Sequence, residues 1–377
     1  MMKIENLFLT LIRSHLNDTN LSLEVKELLK EQEILASLYS ISKKHDLAHL
    51  VADVLDKNKL LEDNQISRAF IQQRHMAVFR DEQMQYEREH IKQLFNDNDI
   101  EFVLLKGSRV RDWYPKTWMR TSCDIDILIH ESEIEKAIDL LEKTGYISEK
   151  RSYRDISLIA PSGVHIELHF SLKQALKEVD SILEKVWDYS EPPYNLKIEF
   201  FYFHIIAHTA YHFRRGGCGI RPFIDLWLIN KQFDIEKEII NEFCRKGGLE
   251  TFYQVAIRLV VAWFGDGAMD DKLCEIQDYL FSSGLYGSLE NRVAIETVKY
   301  GGRCRYIFHR LFLPYEVLKE YYPRLQGRKW LTFFYQIRRW TEGLFSKEKR
   351  KRALAELQAD NEGREKSLAR IMEYVNL

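Results

Sequence analysis

Between residues 4 and 97 the apolar positions recur three and four apart, as in Leu28, Leu29, Ile34, Leu35, Leu38 and Tyr39, then Leu47, Leu50, Val51 and Val54. That spacing lines one face of a helix, so the region is predicted to be helical. Its last long helix, from about residue 66 to 95, should stop at Asn96-Asp97-Asn98-Asp99, whose short polar side chains bond nearby backbone in competition with the helix. The period then shifts. Residues 100–105 form a compact β-favouring run, 124–129 alternate acid with aliphatic, and 153–159 and 164–170 flank the turn Pro161-Ser162-Gly163. These four segments predict a small mixed sheet. Residues 131–144 carry Ile134, Ala137, Ile138 and Leu141 on one helical face, with Gly145 just beyond as a C-cap. From Leu172 the helical period returns almost to the end, interrupted at Pro192-Pro193, Gly216-Gly217, Gly265-Asp266-Gly267, Gly301-Gly302 and Pro323. The pattern predicts an α+β chain in four parts: helical 1–97, a sheet-bearing core 98–190, helical 191–345, and a charged, exposed helix over 346–377.

Composition narrows the class. The 377 residues are 45% hydrophobic, enough for real cores, and 55 Lys+Arg against 57 Asp+Glu leave a formal −2. No overall charge marks a nucleic-acid coat or an acidic tail protein, and any basic surface must be local. The most apolar stretches, 200–206 and 255–264, are far shorter than a membrane span needs, and no membrane partner is expected. The opening MMKIENLFLTLIRSHLND reads as a first helix, not a signal peptide. Five scattered cysteines form no C-x-x-C pair. The expected location is a reducing cytoplasm with free thiols.

Three pieces of the sheet region carry candidate chemistry: Lys106-Gly107-Ser108, Asp124-Ile125-Asp126, and His165-Ile166-Glu167-Leu168-His169. Side chains alternate along a strand, so Asp124 and Asp126 share a face while Ile125 and Ile127 go to the core. Neighbouring carboxylates repel unless a cation neutralises them, and hard oxygen ligands suit Mg²⁺ or Mn²⁺. If the strand bearing Glu167 lies next to that of Asp124, a third acid joins them in a metal site. Gly107 and Ser108 follow a strand directly, where backbone amides and a hydroxyl can hold phosphate oxygens, with Lys106 as counter-charge. Metal ions, a phosphate-holding turn and no obvious protein nucleophile describe phosphoryl-type transfer.

These residues resemble the polymerase-beta-like nucleotidyltransferase superfamily, with its Gly-[Gly/Ser], spacer, Asp-x-Asp and later acid. More narrowly they resemble a large bacterial family of uncharacterised nucleotidyltransferases, through Leu105-Lys106-Gly107, Tyr114-Pro115, Arg120, Asp124-Ile125-Asp126, His165 to His169, and then His208, Arg221 and Asp225. The resemblance is good from about residue 102 to 228. It implies that 98–190 is a nucleotidyltransferase core, that Asp124, Asp126 and Glu167 hold metal and nucleotide phosphates, that Glu167 helps activate an acceptor hydroxyl, and that Gly107 and Ser108 hold the β and γ phosphates. Lys106, Arg120, His169, His208, Arg221 and Asp225 are further nucleotide-binding candidates. The fifteen residues between Ser108 and Asp124 exceed the usual spacer and leave room for a short extra helix.

Several features have plainer readings. His165, Glu167 and His169 share a strand face and could be zinc ligands, though the neighbouring acids favour a harder metal. His204, His208 and His212 line one helix side amid aromatics, which favours a packed helix. Arg214 and Arg215 beside Gly216-Gly217 can reach a triphosphate or stay solvated, and Asp225 stands one turn from Arg221, where it can orient that side chain. Residues 324–354 hold ten Lys or Arg with interleaved Trp330, Phe333, Phe334, Tyr335 and Trp340. Their spacing is that of a packed helix face, so nucleic-acid binding is possible but not favoured. The expected function is a metal-dependent enzyme moving NMP from an NTP to an unidentified hydroxyl acceptor with release of pyrophosphate. Its alternatives are a toxin of the same chemistry acting on tRNA or protein, and a catalytically silent nucleotide-binding protein.

Overall fold

The structure, a computed structural model, describes residues 2–152, 154–174, 176–347, 350, 351, 356 and 363–377. Tyr153, the expected first residue of one strand, and 348–349, 352–355 and 357–362 of the expected last helix lie outside the described residues, Lys349 and Arg352 among them.

A five-stranded mixed sheet stands between helical segments, in the order β1 (Phe102–Leu104), β2 (Asp124–Ile129), β5 (His165–His169), β4 (Asp155–Ile159), β3 (Ile147–Arg151). β2 and β5 run parallel; the other neighbours are antiparallel. Strand β3 has no counterpart in the sequence reading. Its five residues, Ile-Ser-Glu-Lys-Arg, are all exposed, so an edge strand lacks the buried alternation that betrays a strand.

Alternation along the strands gives the sheet two unlike faces. On one, Ile125, Ile127, Ile156, Leu158, Ile166 and Leu168 pack against Ile134, Ala137 and Leu141 of the helix Ile134–Lys143 and against Met84, Ile91 and Phe95 of the long helix Gln65–Asn96. The other face carries Asp124, Asp126, Glu167 and His169. At its margin Val103 and Leu128 belong to a second, larger core that joins the first four helices to the helices from Ile198 to Ser283. Edge-on contacts such as Phe8 to Phe281, at 5.9 Å between rings, tie the first helix to the helix Asp271–Ser283. The polar face is thereby roofed by the helix Ile198–Phe213. That helix turns at Gly216-Gly217 into Arg221–Gln232, and Gly217 (φ +115°) lies so close to Ser283 that a Cβ there would sit 2.1 Å from the serine Cβ.

The end of the chain departs from expectation. The helix Arg364–Val375 is not an exposed solvated rod: Leu368, Ile371, Met372 and Val375 are buried in the larger core. Conversely, the aromatics of the helix Thr332–Phe345, expected to pack, are largely exposed. Among the described residues no helix is long and apolar enough to cross a membrane.

Candidate active site

The register of the parallel pair sets Asp126 opposite Glu167 and Asp124 opposite His165, so the acids of two strands meet on one face. Asp126, Glu167 and His169 offer ligand atoms all within 4.8 Å of one another, the one such group of three metal-ligating side chains among the described residues. Asp124 flanks it. The donor cluster therefore contains His169 where the sequence reading had put Asp124.

His169 is buried, with Nε2 2.8 Å from Asp126 Oδ1 and 3.3 Å from Glu167 Oε2, so it ties two acids of adjacent strands together. His165 instead projects from the exposed start of β5 toward Glu149, at 3.7 Å, and takes no part in the cluster. Lys106 Nζ is 2.7 Å from Asp126 Oδ1. Burial opposes charge on Asp126, but Lys106 and His169 outweigh it and hold its carboxyl far below the usual range. Asp124 goes the other way: the charge of Asp126, then burial, pushes it up to about 7. Burial alone would discharge Lys106, yet Asp126 keeps its ammonium above its ordinary value.

This donor set fits a divalent cation. Asp126, Glu167 and His169 offer donors around one small volume, and the flanking Asp124 is driven toward protonation by the charge of Asp126, the state that a hard cation relieves.

The turn upstream is built by the opposite end of the same network. After β1 the chain enters a five-residue helix, Lys106–Val110, whose first residue has φ +43°. Ser108 is buried and its Oγ accepts the Asp126 N–H at 3.0 Å, so this hydroxyl fastens the turn to β2. A Cβ on Gly107 would meet Arg120 Nη1 at 3.3 Å and Ser122 Cβ at 3.4 Å, so Arg120 and Ser122 pack closely against the turn. Behind the turn lies Arg111, which sequence reasoning missed. It is 2% exposed and donates to Gly107 O (3.2 Å), Asp81 Oδ1 (2.9 Å) and Ser122 Oγ (2.7 Å). Its one signal in the sequence was the charged pair Arg111-Asp112 set between the apolar Val110 and Trp113.

Asp225 does not orient Arg221. It receives Arg120 through Nε (2.8 Å) and Nη2 (2.8 Å) and the Tyr114 hydroxyl at 2.7 Å, all buried. Burial disfavours the Arg120 charge, and Asp225 more than offsets it. Arg221 pairs with Asp46 on the far side of Thr121. A helix-turn spacing permitted the Arg221–Asp225 pair, but residues a hundred or more positions away supplied better geometry to both. Arg215 is engaged by Tyr211.

His204, His208 and His212 run along the roofing helix, with neighbouring ring centroids 6.3 and 4.5 Å apart. Burial, then Lys106, pushes His204 down to about 3 and His212 to about 4, and lowers His208 well below its usual value. They are neutral imidazoles above the acids, and neither His204 nitrogen has a hydrogen-bond partner. Beyond Asp124, a cavity of about 410 Å³ opens against Lys43, Asp46, Arg80, Cys123 and Tyr286.

No curated protein matches the chain. A family model does: one described as an uncharacterised nucleotidyltransferase matches residues 31–265, reaching past the sheet into the helices on both sides that enclose its polar face. With its in-register acids, the Lys106 turn and a match across more than half its length, this chain belongs to that family of uncharacterised nucleotidyltransferases.

Proposed function

We propose that the protein transfers a nucleoside monophosphate from an NTP to a hydroxyl-bearing acceptor, releasing pyrophosphate, and that it needs Mg²⁺ or Mn²⁺ to do so. The observation that supports this reading is the pairing of Asp126 with Glu167 across two parallel strands, clustered with His169 and flanked by Asp124. Asp124, Asp126 and Glu167 would hold the cation, with His169 as a further donor of the cluster. A bound divalent ion supplies charge neutralisation for the triphosphate and polarises the α-phosphate.

The chain's own residues do the rest. Glu167 is the more open of the paired acids, with a third of its side chain exposed, and His169 holds its carboxylate in place. It is positioned to take the acceptor's proton. The acceptor oxygen then bonds to the α-phosphorus as the bond to the bridging oxygen breaks, and pyrophosphate leaves toward Lys106 and the Gly107-Ser108 backbone. Arg120 and Asp225 position the turn from behind, since Arg120 abuts Gly107. Arg221 steadies the loop before β2 through Thr121. His208, neutral and close to Lys106, lines the roof over the nucleotide. On this reading 98–190 is the catalytic unit and the flanking helices are its walls, and the 410 Å³ cavity beside Cys123 has room for an acceptor or a base.

Incubation with each NTP and Mg²⁺ or Mn²⁺, with and without total RNA, tests the proposal by pyrophosphate release. Release should occur and should vanish in the Asp124→Asn, Asp126→Asn double variant while its circular dichroism stays native. A double variant as active as the parent would end the proposal. Release that requires RNA identifies an RNA acceptor, and tight NTP binding without release identifies a silent nucleotide-binding protein.

A further inference from the structure

The helix Thr332–Phe345 faces the wrong way for a packed amphipathic helix. At 100° per residue Phe333, Phe334, Ile337, Leu344 and Phe345 fall on one stripe, continued upstream by Trp330. These side chains point to solvent, with Trp330 73% and Phe345 88% exposed. Its more polar side is what anchors it: Gln336 Nε2 donates to Leu313 O at 2.6 Å, Arg339 Nη2 and Trp340 Nε1 to Leu311 O at 2.6 and 2.9 Å. Phe312 meets Trp340 edge-on at 5.3 Å and Phe308 lies against Phe312 at 4.9 Å, tilted, so the apolar surface extends across two helices. A contiguous exposed apolar stripe of this kind marks a docking surface.

Charge says what covers it. Residues 303–352 hold 14 Lys+Arg and 4 Asp+Glu, a formal +10 in a chain whose total is −2. Arg328 and Lys329 precede the stripe and Lys347 follows it. A second copy would set these cations against their own likenesses. Nucleic acid would satisfy the cations but leave Ile337, Leu344 and Leu311 without a ring to stack on a base. An apolar stripe bordered by Lys and Arg matches an anionic lipid surface, where acyl chains take the aromatics and headgroup phosphates the cations.

We propose that this helix lies flat on an anionic bilayer, its stripe of Trp330, Phe333, Phe334, Ile337 and Phe345 entering the headgroup boundary and Arg328, Lys329 and Lys347 engaging lipid phosphates. Lying on a membrane needs no spanning segment, so the short apolar runs of the sequence do not bear on it.

Co-sedimentation of the full chain with vesicles of phosphatidylcholine alone, or with about a quarter phosphatidylglycerol, tests the proposal. Binding should be at least about tenfold stronger to the anionic vesicles and should weaken as salt is raised. Lys329→Gln with Lys347→Gln should lower it about 25-fold, from about fivefold per cation removed. Phe333→Ser with Phe334→Ser should abolish it while pyrophosphate release from free NTP and circular dichroism stay unchanged. Should the serine pair misfold, the glutamine pair, on exposed cations, still decides. Equal binding to neutral vesicles, no binding to either, or variants that bind like the parent would overturn the proposal. So would a shift of labelled RNA by a chain that ignores vesicles, or a dimer in solution that the serine pair dissolves.

Discussion

Asp124→Asn isolates the electrostatic strain of the site. In the folded chain Asp124 holds its proton up to about 7, because Asp126 is ionised beside it and burial adds to the effect; its ordinary value is 3.8. A cation bound by Asp124 must displace that proton. At pH 6 the carboxyl is about nine-tenths protonated and at pH 8 about one-tenth, so Mn²⁺ binding should release close to one proton from this group at pH 6 and almost none at pH 8. Isothermal titration calorimetry in buffers of different ionisation enthalpy reads that number directly. Apparent affinity should rise about tenfold per pH unit below 7 and flatten above it. In Asp124→Asn the contribution of this proton disappears. The linkage to stability runs the same way. A folded value above the unfolded one gives stability that is complete below pH 3.8 and lost as pH rises through 7. With metal chelated, Asp124→Asn should therefore match the parent near pH 3.5, gain on it steadily from there to pH 7, and exceed it at pH 8 by on the order of 2 kcal/mol after solvent screening. Metal affinity that does not change from pH 6 to 8, or a slope that survives in Asp124→Asn, would refute the reasoning.

Two further outcomes test the scaffold. Asp225→Asn strands a buried Arg120 and should lose about 3–5 kcal/mol in urea denaturation, with turnover falling as Gly107 loses its backstop. Ser108→Ala removes the acceptor of the Asp126 N–H, should lower stability by about 1–3 kcal/mol in thermal melts, and, on the proposed mechanism, should affect kcat more than KM, since it loosens the acid and leaves the turn's backbone amides in place.

Much of the site was legible because its signal is local. The alternation of Asp124-Ile125-Asp126 states which side chains share a face, and His165 to His169 does the same for Glu167 and His169. The long helix and the helix after β2 announced themselves by period and caps. Strand β3 did not, because an exposed edge strand has no buried stripe.

What the order of residues determined by itself, then, was the elements with a buried face, the strand alternation, and the acids and turn that each bring chemistry. Only the tertiary structure decided which groups meet. A spacing of four made Arg221 and Asp225 neighbours on one helix, yet packing brought Arg120 and Tyr114 to Asp225 and Asp46 to Arg221. The spacing of aromatics led 332–345 to be expected in a core and the charge of 346–377 led that stretch to be expected in solvent, and the structure reverses both for 332–345 and 364–375. Helical period is a property of one segment, whereas burial depends on whether another segment arrives to cover it: Leu368 and Ile371 find the larger core, and Phe333 and Phe345 face outward.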